Sequence, residues 1–335
     1  MMRNKNNEEK QMKLQILIPQ YDETEVIIKP LLDSIALQQN VDFNEIGVII
    51  VNDGSEVILT DSFLSSYPYQ IEYYKNEHCG VSATRNACFE HARAEYVMFC
   101  DADDMFYNMC GLWIIFREIE QGVFDGLISV FVEETKDPQT KQPVYINREM
   151  DSTFVHGKVW RRQYLLDKNI RWNSKLTIHE DSFFNIQGMS LSSNVKYCQT
   201  PFYLWKWRDD SVCRHDPKYI LRTYRNMIDS NDALVEEFKK KGVPDKADFY
   251  TIFMIYDAYY TMNKPEWIDQ ENQEYRRLTE RRFGEYYKKH KKVWKKYPMQ
   301  EKMQISQGVR GRSVMEGMQM ENMTVDEWLR KVEKL

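Results

Sequence analysis

The chain has 335 residues, 42% apolar and 13% aromatic, enough for about two globular domains with sizeable cores and too apolar for wholesale disorder. Thirteen glycines and ten prolines exclude a collagenous or low-complexity chain, and a mean hydropathy of −0.64, with no apolar run near the ~18 residues a bilayer crossing needs, argues against a membrane span. The net charge of −5 is uneven: Arg276 to Lys296 hold ten Lys/Arg against Glu280 and Glu285, a local +8 that leaves −13 on the rest.

Residues 1–12 read as a polar N-terminal tail. Leu14 to Ile18 is a short apolar strand closed by Pro19, without the flanks of a signal peptide, so a cytoplasmic chain is expected. A helix is predicted over about 29–39. The β-branched run from Ile46 to Val51 stops at Asn52-Asp53-Gly54-Ser55, a strand entering a turn. Ile71 to Tyr74 is a further strand, Val81 to Arg93 a helix, and Tyr96 to Cys100 a strand running into Asp101-Ala102-Asp103-Asp104. Near-continuous apolar strands alternating with helices predict a mostly parallel sheet covered on both faces, with ligands bound beyond the carboxyl ends of its strands. Asp53 and the 101–104 acids fall at that edge.

Farther along, Leu127 to Val132 reads as a strand, 138–143 as a loop, 157–167 as a short amphipathic helix, and a helix follows His179-Glu180-Asp181 to about Gly188-Met189. Phe202 to Trp207 alternates like an edge strand, with Trp205 and Trp207 able to form a stacking wall for an acceptor or to pack in the core. After Pro217 the pattern is helical only: Tyr219 to Lys240 is apolar at a 3.6-residue period, and Phe249 to Met262 is a more buried helix. The expected organisation is a tail (1–12), an α/β domain (13–216) and an all-helical C-terminal domain (217–335), whose helices offer a surface for a homodimer. The six cysteines form no C-x-x-C pair or zinc spacing, and are expected to be free buried thiols.

Asp101-x-Asp103-Asp104 carries the sharpest chemistry. Carboxylates at i and i+2 leaving a strand can project into one crevice and hold Mg2+ or Mn2+, hard cations that take oxygen ligands and substrate phosphates. The same acids also suit a plain polar turn. Three further blocks precede it: Pro19-Gln20-Tyr21, then Val51-Asn52-Asp53-Gly54-Ser55, then Asn76 with Gly80-Val81-Ser82-Ala83-Thr84-Arg85-Asn86. Gly157-Lys158-Val159-Trp160-Arg161-Arg162, His179-Glu180-Asp181 and Arg208-x-x-Ser211 follow it.

In this order and spacing the blocks resemble the family 2 glycosyltransferases of the GT-A fold, over roughly residues 13–215. The resemblance implies a mostly parallel mixed sheet flanked by helices and a metal-dependent, inverting transfer of a sugar, in the hexosyltransferase class, from a nucleotide donor such as a UDP-sugar to an acceptor hydroxyl. It places Pro19, Tyr21 and Asp53 in the nucleotide pocket, and Gly80, Arg85 and Asn86 around the sugar-nucleotide. It makes Asp103 the direct ligand of Mn2+ or Mg2+, with Asp101 facing ribose and metal. Asp181 becomes the general base, beside Glu180. Arg208 suits the diphosphate and equally a surface pair with Asp209 or Asp210, and His215 suits the metal or diphosphate, as in some relatives of this fold, or a plain surface histidine. Asn52 stands where the family has an acid.

These residue types suit the reaction: departure of a nucleoside diphosphate builds charge that a divalent cation neutralises, and the attacking hydroxyl must lose a proton to a carboxylate. Acids at a helix start also have the ordinary electrostatic explanation. The basic segment 276–296, interleaved with Tyr275, Phe283, Tyr286, Tyr287, Trp294 and Tyr297, suits either a solvated face or an anionic acceptor. A lipid-linked glycan, a teichoic-type polymer and a hydroxylated base in DNA all fit. A second class of reading is a nucleic-acid-binding protein on an inactive glycosyltransferase fold. A nucleotidyltransferase lacks support, because no basic phosphate loop lies near the N-terminus.

Overall fold

A computed structural model describes residues 12–149, 151–209, 211, 216, 218–314 and 323–335. The chain forms two compact units, 1–209 and 210–335.

In the first unit, β1 (Leu14–Gln20), α1 (Glu25–Ala36), β2 (Ile46–Asn52), α2 (Asp61–Leu64), β3 (Gln70–Lys75), α3 (Val81–His91), β4 (Tyr96–Phe99), β5 (Met105–Phe106) and α4 (Gly111–Glu120) are followed by β6 (Gly126–Lys136), β7 (Pro143–Arg148), β8 (Lys158–Arg161), α5 (Arg162–Asp167), α6 (Glu180–Ser190) and β9 (Val195–Trp205). The nine strands form one sheet of order β3-β2-β1-β4-β8-β6-β9-β5, with β7 attached to β6. β3, β2, β1 and β4 are parallel, β8 runs antiparallel to both β4 and β6, and β9 is parallel to β6. β1, β2 and β4 are buried along nearly their whole length because both faces are covered. Ile28, Leu31, Leu32 and Ile35 of α1 join Leu112 and Ile115 of α4 on one side; Cys88 and Phe89 of α3, Leu165 of α5 and Phe184 of α6 pack on the other.

Several expectations need correction. α1 starts at Glu25, four residues early, and accommodates Pro30: the carbonyl that the proline cannot bond belongs to Val26, which is 81% exposed and reaches water. The stretch predicted as one helix from 157 to 167 is split. Lys158 to Arg161 extend to bond β4 and β6, which buries Val159 and Trp160 on opposite faces of the sheet, and only 162–167 are helical. The strand predicted as an edge, 202–207, is the end of β9, covered by β6 on one side and the two-residue β5 on the other. The loop at 138–143 is the turn of a hairpin whose second strand, β7, is exposed throughout. Of the cysteines, Cys88 and Cys100 are buried, Cys110 and Cys198 are half-buried and Cys79 is exposed; Cys213 lies outside the described residues.

The second unit contains α7 (Tyr219–Lys240), α8 (Pro244–Thr261), α9 (Pro265–Ile268), α10 (Gln273–Lys296), α11 (Met299–Val314) and α12 (Val325–Val332). Its core gathers Ile252 and Ile255 of α8, Trp267 of α9, Phe283 and Tyr286 of α10 and Trp328 of α12. Pro244 starts α8 at a position where its missing N–H costs nothing. Thr324 and Glu327 form a reciprocal capping box at the start of α12. No helix among the described residues is long and apolar enough to cross a membrane.

Candidate active site

A cleft of about 390 Å³ opens at the carboxyl ends of β1, β2 and β4. It is lined by Pro19, Tyr21, Asp53, Gly80, Arg85, Asp101 and Asp103, seven residues singled out in the sequence, and also by Glu23, His78 and Thr84. Parallel strands put their ends at one edge of the sheet, which is why blocks far apart in sequence converge there.

Asp53 organises the β2 side. Its Oδ1 accepts from the backbone N–H of Cys79 (2.8 Å) and its Oδ2 from that of Gly80 (3.0 Å), while His78 Nδ1 lies 3.1 Å from Oδ2. Gly80 sits at φ +86°, a conformation that L side chains rarely adopt, and starts α3 at the cleft wall. The Tyr21 and His78 rings lie 4.8 Å apart, tilted by 38°, making an aromatic corner beside Asp53. The neighbouring Asn52 plays a different part. Its Nδ2 donates to Ser55 O, Val57 O and Tyr73 Oη, and its Oδ1 accepts from Ser55 N–H, so it closes the turn that aims Asp53.

Arg85 is the hub of the other side. The guanidinium is buried, and donates through Nη2 to Asp101 Oδ1 (2.8 Å) and through Nη1 to Asp181 Oδ1 (2.7 Å) and Glu180 Oε1 (3.1 Å). Its face lies 4.5 Å from the Trp172 ring, which supports the cation from beneath. One arginine on α3 therefore ties the end of β4 to the first turn of α6. Burial alone would lower its pKa, yet the three carboxylates raise it.

The carboxyls around it are not equivalent. Burial pushes Asp181 up to about 7, against the opposing pull of Arg85. For Asp101 burial also acts upward, but Arg85 prevails and the net shift is downward. Asp103 is raised by burial and by the charge of Asp101, and Arg208 Nη1, donating at 2.9 Å, offsets only part of this. Glu23 is pushed by burial to about 7. Asp104 points away from the cleft: Tyr203 Oη donates to it at 2.5 Å and Lys206 N–H at 2.9 Å, and burial holds its pKa well above the carboxylate range.

Asp101 and Asp103 both face the cleft, with side chains 31% exposed. Four carboxyls, those of Asp101, Asp103, Glu180 and Asp181, pair among the described residues only with the two guanidinium groups of Arg85 and Arg208, and the oxygen-only pair Asp101 and Asp103 at the cleft fits a hard divalent cation. His215 lies outside the described residues.

Two assignments look different in three dimensions. Asn86 does not line the cleft: its Nδ2 donates to Trp172 O (2.9 Å) and its Oδ1 accepts from Trp172 N–H (3.0 Å), so its amide anchors the loop that carries Trp172 under Arg85. Arg208 pairs with Asp103, while Asp209 pairs with Lys136 and accepts from Trp207 Nε1. Trp205 is half-buried against Phe154 and His156, and Trp207 is half-buried with Lys136 over its ring.

Sequence reasoning missed Glu23 and the support around Asp181. The backbone N–H of Val155 donates to Asp181 Oδ2 (3.1 Å). Asn185 holds that loop by donating to Thr153 O and Phe154 O, and the buried Lys158 amine donates to Phe154 O. A basic residue after Gly157 was the visible signal; that its amine turns inward follows only from the strand pairing of β8. Trp160, fully buried, fills the space between Gly126 and Gly188, where an added Cβ would lie 2.6 Å and 2.5 Å from the indole.

The profile of glycosyl transferase family 2 matches residues 15–186. The minor teichoic acid biosynthesis protein GgaB of Bacillus subtilis (strain 168) is 26% identical over 208 residues, covering 54% of this chain; the chain spans only 21% of that relative's length. The putative glycosyltransferase EpsH of the same organism is 23% identical over 247 residues, 67% of this chain and 70% of EpsH. Among solved structures, residues 1–349 of S. aureus TarS in complex with UDP-GlcNAc superpose with a TM-score of 0.65 at 17% identity, over 96% of this chain and 91% of that one. The mannosyltransferase PcManGT from Pyrobaculum calidifontis, in complex with GDP-Man and Mn2+, gives 0.51 at 12% identity, over 97% and 86%.

Proposed function

The chain belongs to glycosyl transferase family 2, and we propose that it transfers a hexosyl group from a UDP-sugar to a hydroxyl of an anionic cell-surface polymer, inverting the anomeric configuration. The observation that carries this reading is the Arg85 junction, which brings Asp101 and the Glu180-Asp181 pair to one guanidinium beside a single cleft. The UDP-GlcNAc bound by TarS supports the donor class, and the teichoic acid role in the name of GgaB supports the acceptor class.

Asp53, with the Tyr21–His78 corner, receives the base and ribose. Asp101 and Asp103 would hold Mn2+ or Mg2+, and the bound cation supplies positive charge against the departing diphosphate. Arg208 keeps Asp103 oriented toward the cleft. Asp181 is the base: with a pKa of about 7 its carboxylate is available at neutral pH and is basic enough to take a proton from a hydroxyl. The acceptor oxygen attacks the anomeric carbon, the bond from that carbon to the diphosphate oxygen breaks, UDP leaves with the bonding pair, and the acceptor proton passes to Asp181. One displacement from the face opposite the leaving group inverts the centre.

Calorimetric titration with UDP-sugars and other nucleotide sugars, with and without Mn2+, tests the donor site on wild type and Asp103→Ala. Metal-dependent binding of a uridine nucleotide that is lost in the variant is expected. Absence of binding across the series, or binding indifferent to both metal and Asp103, refutes the assignment; a product with retained configuration refutes the inversion.

A further inference from the structure

The ten cations of the basic segment divide into two groups. Arg276, Arg282, Lys289 and Lys291 are used by the fold, paired with Glu280, with Asp229 and Asp232, with Asp232 and Glu236, and with Glu333 respectively. Arg277, Arg281, Lys288, Lys292, Lys295 and Lys296 are exposed, and none forms an ion pair among the described residues. At 100° per residue these six fall within about 100° of arc on α10, opposite Phe283, Tyr286 and Trp294 in the core. The result is a cationic ridge ~29 Å long with a charge at nearly every turn, interrupted only by Glu285.

At the N-terminal end of the ridge lies a cavity of about 830 Å³ bordered by Arg276, Arg277, Lys331 and Glu280. Glu280 Oε1 is shared by Arg276 Nε (3.2 Å) and Lys331 Nζ (3.3 Å), and Arg277 adds a third cation to a cavity whose lining holds this one carboxylate. Arg276 is 5% exposed and recessed, whereas Arg277 belongs to both cavity and ridge.

We propose that this surface docks a linear phosphodiester polymer of the polyol-phosphate class, laid along α10 with one phosphate seated in the cavity; the proposal deepens the anionic-acceptor reading above and rests on it. Charge complementarity along a line selects a chain of regularly spaced phosphates. An interfacial membrane helix presents aromatic or large apolar residues on its contact face, and this face has none, while a flat lipid surface would not reach the recessed Arg276. Single-stranded nucleic acid draws on base stacking, and the aromatics of α10 are turned into the core.

The test is binding of a fluorescently labelled glycerol-phosphate oligomer to the full chain from 50 to 200 mM salt. Wild type is compared with Arg281→Gln/Lys288→Gln/Lys292→Gln/Lys295→Gln, whose four side chains are exposed and form no ion pair among the described residues, and separately with Arg277→Gln at the cavity. Neutralising four phosphates predicts a loss of affinity of about 50-fold over that range of salt for wild type. The quadruple variant should bind at least tenfold more weakly at 50 mM and lose most of the salt dependence, and Arg277→Gln should weaken binding too. Undiminished binding by the quadruple variant, or none by wild type, overturns the proposal. So does tighter binding of an oligonucleotide of equal charge, or of vesicles containing phosphatidylglycerol, than of the oligomer. UDP-sugar binding, measured on the same samples, should be unchanged by these substitutions; its absence from wild type would refute the glycosyltransferase reading separately.

Discussion

Replacing Arg85 by Met keeps an apolar stem over Trp172 and removes the one cation shared by Asp101, Glu180 and Asp181. Removing one partner of a buried ion pair costs about 3–5 kcal/mol, because the remaining charge is left without compensation. The three carboxylates retain some exposure, at 31%, 14% and 19% of their side chains, so the lower end applies, about 3 kcal/mol at pH 7. The pH dependence distinguishes this cause from simple loss of packing. A carboxyl whose folded pKa lies above its unfolded value binds more protons in the folded state, so its contribution to stability grows as pH falls. Asp181 already sits at about 7, and without the pull of Arg85 the carboxyls of Asp101 and Asp181 move upward. The deficit of the variant should therefore shrink between pH 7 and pH 5, as these groups become protonated in the folded chain. Urea denaturation of both proteins at the two pH values measures it. A deficit below about 1 kcal/mol at pH 7, or one of equal size at pH 5, would show that the junction is not electrostatic in the way the geometry implies.

Asp181→Asn should leave UDP-sugar binding within about threefold of wild type while slowing transfer by roughly 100- to 10,000-fold, the range for loss of a positioned base. In wild type, transfer should rise with pH through a limb near 7 as Asp181 loses its proton, and the variant should lack that limb. Gly188→Ala drives a methyl group into the Trp160 indole, and overpacking of this kind costs about 1–3 kcal/mol. Because α6 carries both Gly188 and Asp181, the substitution should lower the thermal midpoint and transfer rate together; a midpoint unchanged within error would refute the packing argument.

The strands that build the cleft were legible because they are buried on both faces. Leu14–Ile18, Ile46–Val51 and Tyr96–Phe99 carry apolar residues on both faces, with Gln15 the one polar side chain among them, and each strand runs on into a polar stretch rich in Asn, Asp, Gln or Ser. β8 was misread because Val159-Trp160 between charged residues suits a helix stripe as well as a strand, and pairing with β4 and β6 decides between them. β9 was read as an edge from its alternation, but alternation reports which faces are wet and says nothing about which strands lie alongside.

The site divides in the same way. Asp53, Asp101 and Asp103 stand immediately after strand ends, so local sequence and the rule that parallel sheets bind ligands at their carboxyl edge were sufficient to place them in one crevice. The basic segment was equally visible as composition, but its division into cations spent on the fold and cations left on a ridge depends on acids supplied by α7 and by the chain end after α12. Arg85 meeting Glu180 and Asp181 spans about 95 positions of chain, and Arg208 meeting Asp103 spans 105. Asn86 serves the backbone of Trp172 for the same kind of reason. Local order along the chain determined which residues reach the edge of the sheet. Only tertiary packing, which brings α3, α6 and the end of β4 around one guanidinium, decided which carboxyls share a charge, and with it which is drawn downward by that charge and which burial pushes up to about 7.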